Sequence, residues 1–391
     1  MKSDSMNFNG NISPIDKAEE KNIVTTIYRN PSQEELEYLG TQLREGKIVA
    51  IPTETVYGLG SNGLDEEAIA RIYEAKGRPS DNPLILHVPN RDAIVPLVQE
   101  ITSTAEKLMD AFWPGPLTII MKKSDLVPYK ATGGLETVAL RCPAHRLCRD
   151  FLKVAGVPVA APSANLSGRP SPTTGEDVYH DMKGRIEYII DAGPCSIGVE
   201  STIVECGTDA VTILRPGGIT EEDLLHVVKT VRYDKGITTG VAPKAPGMKY
   251  KHYAPEGKMK TFVGDNVAVM ERIKAEVASM IKALSLQNEM IIGEQKVAHI
   301  PYKIGLLISE EVATSIEPWL IENLEKTQYM TKVYGAAKNT LALAHCFYDT
   351  LLRFNEAGVT HIFAQGVENI GMGIAVMNRM EKASSHQVFQ V

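Results

Sequence analysis

Apolar positions in this chain follow two spacings that alternate along its first 230 residues. Leu36, Leu39 and Leu43 recur at helical spacing, and Ser32 with Glu35 forms a capping box before them. The helical spacing returns at 65–75, 104–112, 145–154, 176–182 and 220–228. Short apolar runs predict strands at 47–51, 83–88, 117–121, 137–141, 157–161, 187–191, 201–205 and 211–214. Because several strands follow one another with short links, a mixed sheet is favoured over a parallel one.

The alternation of helical segments and apolar runs stops near residue 230 and resumes near residue 259. We interpret the polar segment 1–22 as a disordered tail, 23–230 as a first domain, and 231–258, rich in Gly, Pro and Lys, as a linker. From residue 259 to 391 apolar runs again alternate with helical segments. The predicted strands are 260–263, 303–308 and 360–364, and the predicted helices lie near 267–284 and 336–357. This pattern is typical of a smaller, mostly parallel α/β domain.

Composition narrows the class of protein. The net charge of −7 argues against a protein that grips the nucleic-acid backbone, although a local basic groove stays open. The five cysteines are widely spaced, which disfavours a disulfide framework or structural zinc site and fits a reducing compartment. No apolar run reaches the ~18–20 residues that span a bilayer, and the start of the chain does not resemble a secretion signal. We therefore expect a cytoplasmic protein with no membrane partner.

The stretch 50–87 carries the first chemical signal. Its apolar strand is expected to turn through Gly58 and Gly60, and the helix that follows ends in a basic loop, KGRP. Two cations on a loop near a glycine turn suggest an anion-binding cleft. Two basic loop residues alone are more often simply solvated, but the prolines stiffen this loop, and Lys76 beside Arg78 suits a phosphate.

Further polar residues stand on apolar strands or where these strands end, a common place for ligands in α/β sheets. Each also has an ordinary explanation: packing for the threonines, a structural role for the histidine, turn formation for the serine and asparagine, and pairing with a protein carboxylate for the arginine. These candidates are Thr53, Thr55, His87, Arg141, Ser163 and Asn165.

Taken together and in order, the motifs resemble the YrdC-like family of threonylcarbamoyl-AMP synthases. The motifs are PTETVYGLG, KGRP-x-DNPL-x-x-H, WPGPLT, PSAN-x-SG-x-PSPT, GVESTI and LRPG. APGMKYKHYAP in the linker and IGMGIAVMNRMEKAS near the end are similar to the long, two-domain form. The resemblance implies a twisted mixed α/β sheet around a large concave pocket, plus a smaller Rossmann-like α/β domain at the C-terminus.

The resemblance also implies a reaction. Members of the family convert L-threonine, bicarbonate and ATP into threonylcarbamoyl-AMP and pyrophosphate. The product is passed to a downstream transferase that modifies the tRNA adenosine next to the anticodon. Mg²⁺ would accompany ATP and be held mainly by its phosphates, with no metal ligands from the protein. Little or no direct tRNA binding is expected.

Site residues follow from the resemblance, position by position. The expected catalytic residues are Lys76, Arg78, Ser163 and Asn165. Threonine is expected to meet Thr55, His87, Arg141 and Ser201, with Thr53 as an alternative to Thr55 and Arg141 on the carboxylate. The expected nucleotide-binding residues are Arg78, Asn82, Thr137, Asn165, Thr173, Arg215 and Tyr253. Because the linker combines aromatic and basic residues, we also hypothesise that it covers the pocket as a lid, with Tyr253 reaching the nucleotide.

Two other functions remain open at this point. YrdC-like modules occur in carbamoyl-transfer enzymes, but those carry zinc-finger and acylphosphatase-like modules that nothing here resembles. A nucleotide- or RNA-binding paralogue without synthase activity is the second alternative.

Overall fold

The structure is a computed structural model that describes residues 23–207, 210–234, 253–290 and 302–391. The predicted tail and most of the predicted linker lie outside these residues. The strands are β1 Thr26–Arg29, β2 Val49–Ile51, β3 Gly58–Asn62, β4 Ile85–His87, β5 Leu117–Lys122, β6 Thr137–Arg141, β7 Val159–Ala160, β8 Tyr188–Asp191, β9 Thr202–Cys206, β10 Val211–Arg215, β11 Val231–Tyr233, β12 Lys258–Val263, β13 Ile304–Ile308, β14 Tyr329–Val333, β15 His361–Gln365 and β16 Val388–Gln390. The helices are α1 Gln33–Arg44, α2 Glu66–Lys76, α3 Ser103–Phe112, α4 Tyr129–Thr132, α5 Arg146–Ala155, α6 Gly175–Met182, α7 Glu221–Leu225, α8 Asn266–Met290, α9 Glu310–Asn323, α10 Thr340–Glu356 and α11 Met372–Ala383.

Local signals fix where the helices begin and end. Ser32 and Glu35 form the predicted capping box of α1. Asp65 caps α2 by accepting hydrogen bonds from two backbone amides, and Gly77 ends it in the left-handed conformation that glycine adopts without strain. The position of Gly77 sets the direction in which the basic loop leaves the helix.

The first sheet has eleven strands in the order β1-β8-β2-β3-β7-β4-β6-β5-β9-β10-β11. Parallel and antiparallel pairs are mixed, as the sequence predicts. The sheet is covered on both faces. Ala50 packs into the cluster that contains α2 and α3, whereas its neighbours Val49 and Ile51 pack against α1 and α5. A strand buried on both faces needs a continuous apolar run, which is why β2 is readable in the sequence.

The glycine turn predicted at Gly58 and Gly60 is wrong. Both residues lie in β3, which pairs antiparallel with β2, and the turn is formed by the residues before them, 52–57. Glycine is used here for close approach: a Cβ on Gly60 would lie 2.8 Å from the carbonyl oxygen of Val49. The sequence pattern misleads because glycine marks tight packing in a strand as well as a turn.

The second sheet is parallel, with the order β14-β13-β15-β12-β16. The smaller parallel α/β domain is therefore confirmed, but four of its elements were not predicted: α9, β14, α11 and β16. Pro318 inside α9 hides the helix, and β14 carries exposed and half-buried residues instead of an apolar run. The predicted linker is also too long at both ends, since Val231–Tyr233 extends the first sheet as β11 and Lys258 begins β12.

We expect Gly60→Ala to lower the free energy of unfolding by about 1–3 kcal/mol, because the new methyl group would press on the Val49 carbonyl and on the Val159 side chain, 2.9 Å away. The measurement is urea unfolding followed by circular dichroism. Ser61→Ala on the same strand is the matched control. Its hydroxyl is buried without a hydrogen-bond partner among the described residues, so its removal should cost little. Equal unfolding midpoints for Gly60→Ala and the wild type would contradict the close-approach argument.

Candidate active site

One cleft gathers most of the residues singled out in the sequence. It comprises about 720 Å³ of space that is not filled by protein atoms and is partly open to solvent. All but three of the predicted site residues line it. The lining predicted residues are Thr55, Lys76, Arg78, His87, Arg141, Ser163, Asn165, Ser201, Arg215 and Tyr253. Thr53 lines it as well.

Strand direction explains part of this convergence. His87, Arg141 and Arg215 are the last residues of β4, β6 and β10. The pairings of β4, β6, β5, β9 and β10 make those three strands run in one direction, so their ends lie along one edge of the sheet. Ser201 directly precedes β9, which runs the other way and therefore starts at that edge. This is the usual location of a ligand site in an α/β sheet.

Arg141 organises the first group of side chains. Its guanidinium is buried, pairs with Glu54 at 2.8 Å and donates a hydrogen bond to the Thr55 hydroxyl at 2.9 Å. Thr53 donates to the Val56 carbonyl, so the hydrogen of Thr55 points to Thr53, 2.8 Å away. The chain from guanidinium to hydroxyl to hydroxyl to carbonyl holds both threonines in fixed rotamers. Neither threonine is merely a packing residue.

His87 is buried beside this group and is held neutral. Its Nδ1 donates to the Ile85 carbonyl at 3.2 Å. Burial, and then the charge of Arg141, lower the pKa of His87 to about 3. At physiological pH the imidazole therefore offers shape and a hydrogen bond but no positive charge.

Lys76 is tied to the turn that follows β7. Its Nζ donates to the carbonyl oxygens of Ser163 and Asn165, both at 2.5 Å. The side chains of that turn also bond to one another, since the Ser163 hydroxyl donates to Oδ1 of Asn165. The Asn165 amide in turn donates to the Leu166 and Arg169 carbonyls. The lysine and the turn therefore form one rigid wall of the cleft.

The cleft carries more buried positive charge than its carboxylates balance. Lys76, Arg141 and Arg215 are buried and Arg78 is half-buried, whereas two carboxylates oppose them: Glu54, which pairs with Arg141, and Glu200, the one carboxylate among the described lining residues. Burial and the charge of Arg78 lower the pKa of Lys76 well below its usual range. Burial likewise lowers the pKa of Arg78 to about 10. Burial disfavours the charged form of these side chains, and a nearby anion favours it. The cleft therefore favours a polyanionic ligand.

Arg78 and Arg215 are already oriented by backbone carbonyls. Arg78 donates to the carbonyls of Asn82 and Pro83 at 3.3 and 3.1 Å. Arg215 donates to the Ser201 carbonyl and hydroxyl at 2.9 and 3.2 Å. Fixed guanidinium groups lose little side-chain freedom when they bind an anion, which is the advantage of a preorganised site.

Tyr253 reaches the cleft from the far end of the predicted linker. It is buried, lines the cleft and packs against Tyr348 of α10 with ring centroids 5.2 Å apart. Its φ of 64° lies in the left-handed region, and the next amide, of Ala254, donates to the Gly168 carbonyl. This end of the linker thus contacts both domains. The proposed lid otherwise lies outside the described residues and stays a prediction.

Three predicted nucleotide residues do not line the cleft. Asn82 is buried and offers its carbonyl to Arg78, Thr137 is the first residue of β6, and the Thr173 carbonyl accepts from the Cys195 amide. Sequence reasoning in turn missed Glu54 and Glu200. Each lies inside one of the motifs. A buried carboxylate needs a cation partner, so an acidic residue in an otherwise apolar motif is the signal that could have identified them.

Among the described residues, no group of three or more His, Cys, Asp or Glu side chains is arranged to hold a metal ion. In the described part of the chain, no helix combines the length and apolar character required to cross a bilayer.

Comparison with known proteins identifies the family. The profile described as telomere recombination matches residues 41–217, and the profile of the threonylcarbamoyl-AMP synthase C-terminal domain matches 219–385. The threonylcarbamoyl-AMP synthase of Pyrococcus abyssi is 40% identical over 354 residues, which cover 89% of this chain and 94% of that protein. The chain belongs to the threonylcarbamoyl-AMP synthase family. The synthase of Bacillus subtilis is also 40% identical, over 89% of this chain and 92% of its own length.

Structural comparison extends the family likeness to both domains. The P. abyssi Sua5 structure complexed with L-threonine has a TM-score of 0.79 and 36% identity, and the match covers 94% of this chain and 99% of that one. The two-domain form of the threonylcarbamoyl-AMP synthase family, expected from the motifs, is therefore confirmed. The roles expected for individual cleft residues stay predictions.

The buried state of His87 predicts a pH dependence of stability. The unfolded chain takes up a proton near the ordinary value of 6.5, whereas folded His87 does not until about pH 3. Stability is therefore lost as pH falls through 6.5. Between pH 7 and 5 the wild type should lose about 2 kcal/mol more than His87→Gln, as measured by urea unfolding.

The exposed His226 is the control for this measurement. His226→Gln should retain the pH dependence of the wild type. If His87→Gln also retains it, then His87 is not held neutral by the fold.

Proposed function

We propose that this protein is an L-threonylcarbamoyladenylate synthase, a nucleotidyltransferase that makes threonylcarbamoyl-AMP and pyrophosphate from L-threonine, bicarbonate and ATP. One observation carries the proposal: a single cleft combines desolvated cations, which suit a polyphosphate, with the Arg141–Thr55 group, which suits an amino acid that has both a carboxylate and a hydroxyl. The names of the relatives and of the threonine-bound structure support it.

The proposed chemistry needs no strong base. The neutral amine of threonine condenses with bicarbonate to form a carbamate, and one molecule of water is released. A carbamate oxygen then attacks the α-phosphorus of ATP, the bond to the β-phosphate oxygen breaks, and pyrophosphate leaves. The attacking oxygen is already anionic. His87 with a pKa of about 3, and Glu200 with a pKa of about 2, are both ill suited to take up a proton at neutral pH.

Catalysis therefore depends on positioning and charge neutralisation, as in other phosphoryl-type transfers. Lys76, Arg78 and Arg215 neutralise the phosphates, while Ser163 and Asn165 shape the wall beside them. Arg141 binds the threonine carboxylate, and Thr55, His87 and Ser201 surround the rest of the amino acid. Exclusion of water would protect the mixed anhydride, which hydrolyses readily.

Mg²⁺ fits this proposal as an ion that ATP brings with it. The described residues offer no metal-ligating cluster, and the lining carboxylate, Glu200, is engaged by Arg379 and Tyr348. The ion would be held mainly by the ATP phosphates and would withdraw charge from them, while the protein supplies the surrounding cations.

Downstream, the product would be passed to a transferase that modifies the tRNA adenosine next to the anticodon. Direct tRNA binding is expected to be weak, because the net charge of the chain is −7. The five unpaired cysteines are consistent with action in the cytoplasm. A nucleotide- or RNA-binding paralogue without synthase activity is the competing function.

The deciding experiment measures pyrophosphate release from ATP and bicarbonate, with and without L-threonine, together with the mass of the adenylate product. We expect release that depends on threonine and a threonylcarbamoyl-adenylate peak. ATP binding without threonine-dependent release would contradict the synthase proposal and favour the nucleotide-binding paralogue.

Two variants separate the substrates. Arg141→Lys should raise the KM for threonine by at least tenfold and leave the KM for ATP nearly unchanged, because a lysine cannot keep both the ion pair with Glu54 and the hydrogen bond to Thr55 that orient the guanidinium. Arg215→Lys should do the reverse. Steady-state kinetics with each substrate varied in turn is the measurement, and equal effects on both KM values in both variants would contradict the assignment.

A further inference from the structure

A buried ion pair joins the two domains directly behind the cleft. Arg379 of α11 is completely buried, and its Nε lies 3.0 Å from Oε2 of Glu200. The Tyr348 hydroxyl lies 3.0 and 2.9 Å from the two oxygens of the same carboxylate, and Ser171 donates to it at 2.9 Å. Glu200 therefore lines the cleft of the first domain, while the cation that balances it comes from the second.

The same guanidinium also holds the strand end beside Glu200. Nη1 of Arg379 donates to the Pro216 carbonyl at 2.5 Å. Pro216 follows Arg215, and Glu200 precedes Ser201, to which Arg215 is hydrogen-bonded. Arg379 thus contacts both chain segments that carry the Ser201–Arg215 pair.

Stability alone does not explain a charge pair at this place. Desolvating two charges costs more than packing apolar groups of similar size, so a buried ion pair is weak evidence for stabilisation. The interface already has an apolar cluster, in which Val56 and Val199 of the first domain pack with side chains of α10. A second ion pair, between Arg353 and Asp177, lies among the interdomain contacts and does not involve a residue that lines the cleft.

Electrostatics suggests what the pair does. Glu200 is an anion in a cleft that must accept a polyphosphate. Arg379 and then Arg215 hold the pKa of Glu200 down to about 2, so it stays ionised. Without Arg379, the carboxylate would be left with Arg215 as its main neighbouring cation. Lys382 of α11 lies near the same groups, and burial and the charges of Arg379 and Arg215 lower its pKa to about 7.

We propose that Arg379 is a positioning residue for ATP: from the C-terminal domain it neutralises Glu200 and fixes the Pro216 carbonyl, so that the charge of Glu200 does not compete with the phosphates for Arg215. The inference rests on the proposed function for the identity of the ligand. It gives the C-terminal domain a defined part in building the nucleotide site.

The test measures MgATP binding to the full-length protein by isothermal titration calorimetry. Arg379→Met should weaken MgATP binding by about tenfold and leave L-threonine binding within twofold, because the uncompensated Glu200 charge acts on Arg215. The double variant Glu200→Gln/Arg379→Met should restore MgATP affinity to within about threefold of the wild type. Removing the second charge would also relieve a purely structural defect, so the roles are separated by the selective loss of MgATP affinity over L-threonine affinity in variants that fold as the wild type does. Arg353→Gln, which breaks the other interdomain ion pair, is the matched control and should bind MgATP as the wild type does.

Unchanged MgATP affinity in folded Arg379→Met would overturn the proposal, and so would a double variant that binds no better than Arg379→Met. If Arg379→Met does not fold, Arg379→Lys and the double variant replace it. Arg379→Lys keeps a cation beside Glu200, and the double variant removes the carboxylate, so neither leaves an uncompensated charge. A tenfold loss of MgATP affinity in either variant would overturn the proposal. Because the readout is binding, failure here is distinct from failure of the synthase reaction, which the pyrophosphate assay reports.

Discussion

Desolvated positive charge is the constraint on which this structure depends. Lys76, Arg78, Arg141 and Arg215 surround one cleft, and burying them costs free energy that Glu54 and Glu200 offset only in part. The fold tolerates this cost because backbone carbonyls and hydroxyls orient every one of these groups. The result is a site with excess positive charge, which an anionic ligand would neutralise.

The large mixed sheet makes this arrangement possible. Its apolar strands are packed on both faces, which anchors the strand ends that carry His87, Arg141 and Arg215. Gly60 lets β2 and β3 approach closely, and the turn between those strands brings Thr53 and Thr55 to Arg141. The rigidity of the apolar sheet is thus transmitted to the polar side chains at its edge.

The C-terminal domain takes part in the same electrostatic balance. Tyr348 and Arg379 enclose Glu200, and Tyr253 packs against Tyr348 as the chain passes from one domain to the other. Two motifs that stand far apart in the sequence, GVEST and MNRMEKAS, therefore meet at a single carboxylate. Both motifs resemble the same family, and this contact gives a physical reason why they occur together.

The sequence alone determined much of the architecture, because its signals are local. Capping residues, apolar runs and glycine stops identify α1, α2 and the strands of the first sheet other than β1, β3 and β11, and the ordered motifs identify the family. Only the tertiary structure decided that Gly58 and Gly60 lie in a strand, that Asn82, Thr137 and Thr173 do not line the cleft, and that Arg379 pairs with Glu200. Those outcomes depend on which segments pack together across long sequence separations, and no local spacing records the partner of a buried charge.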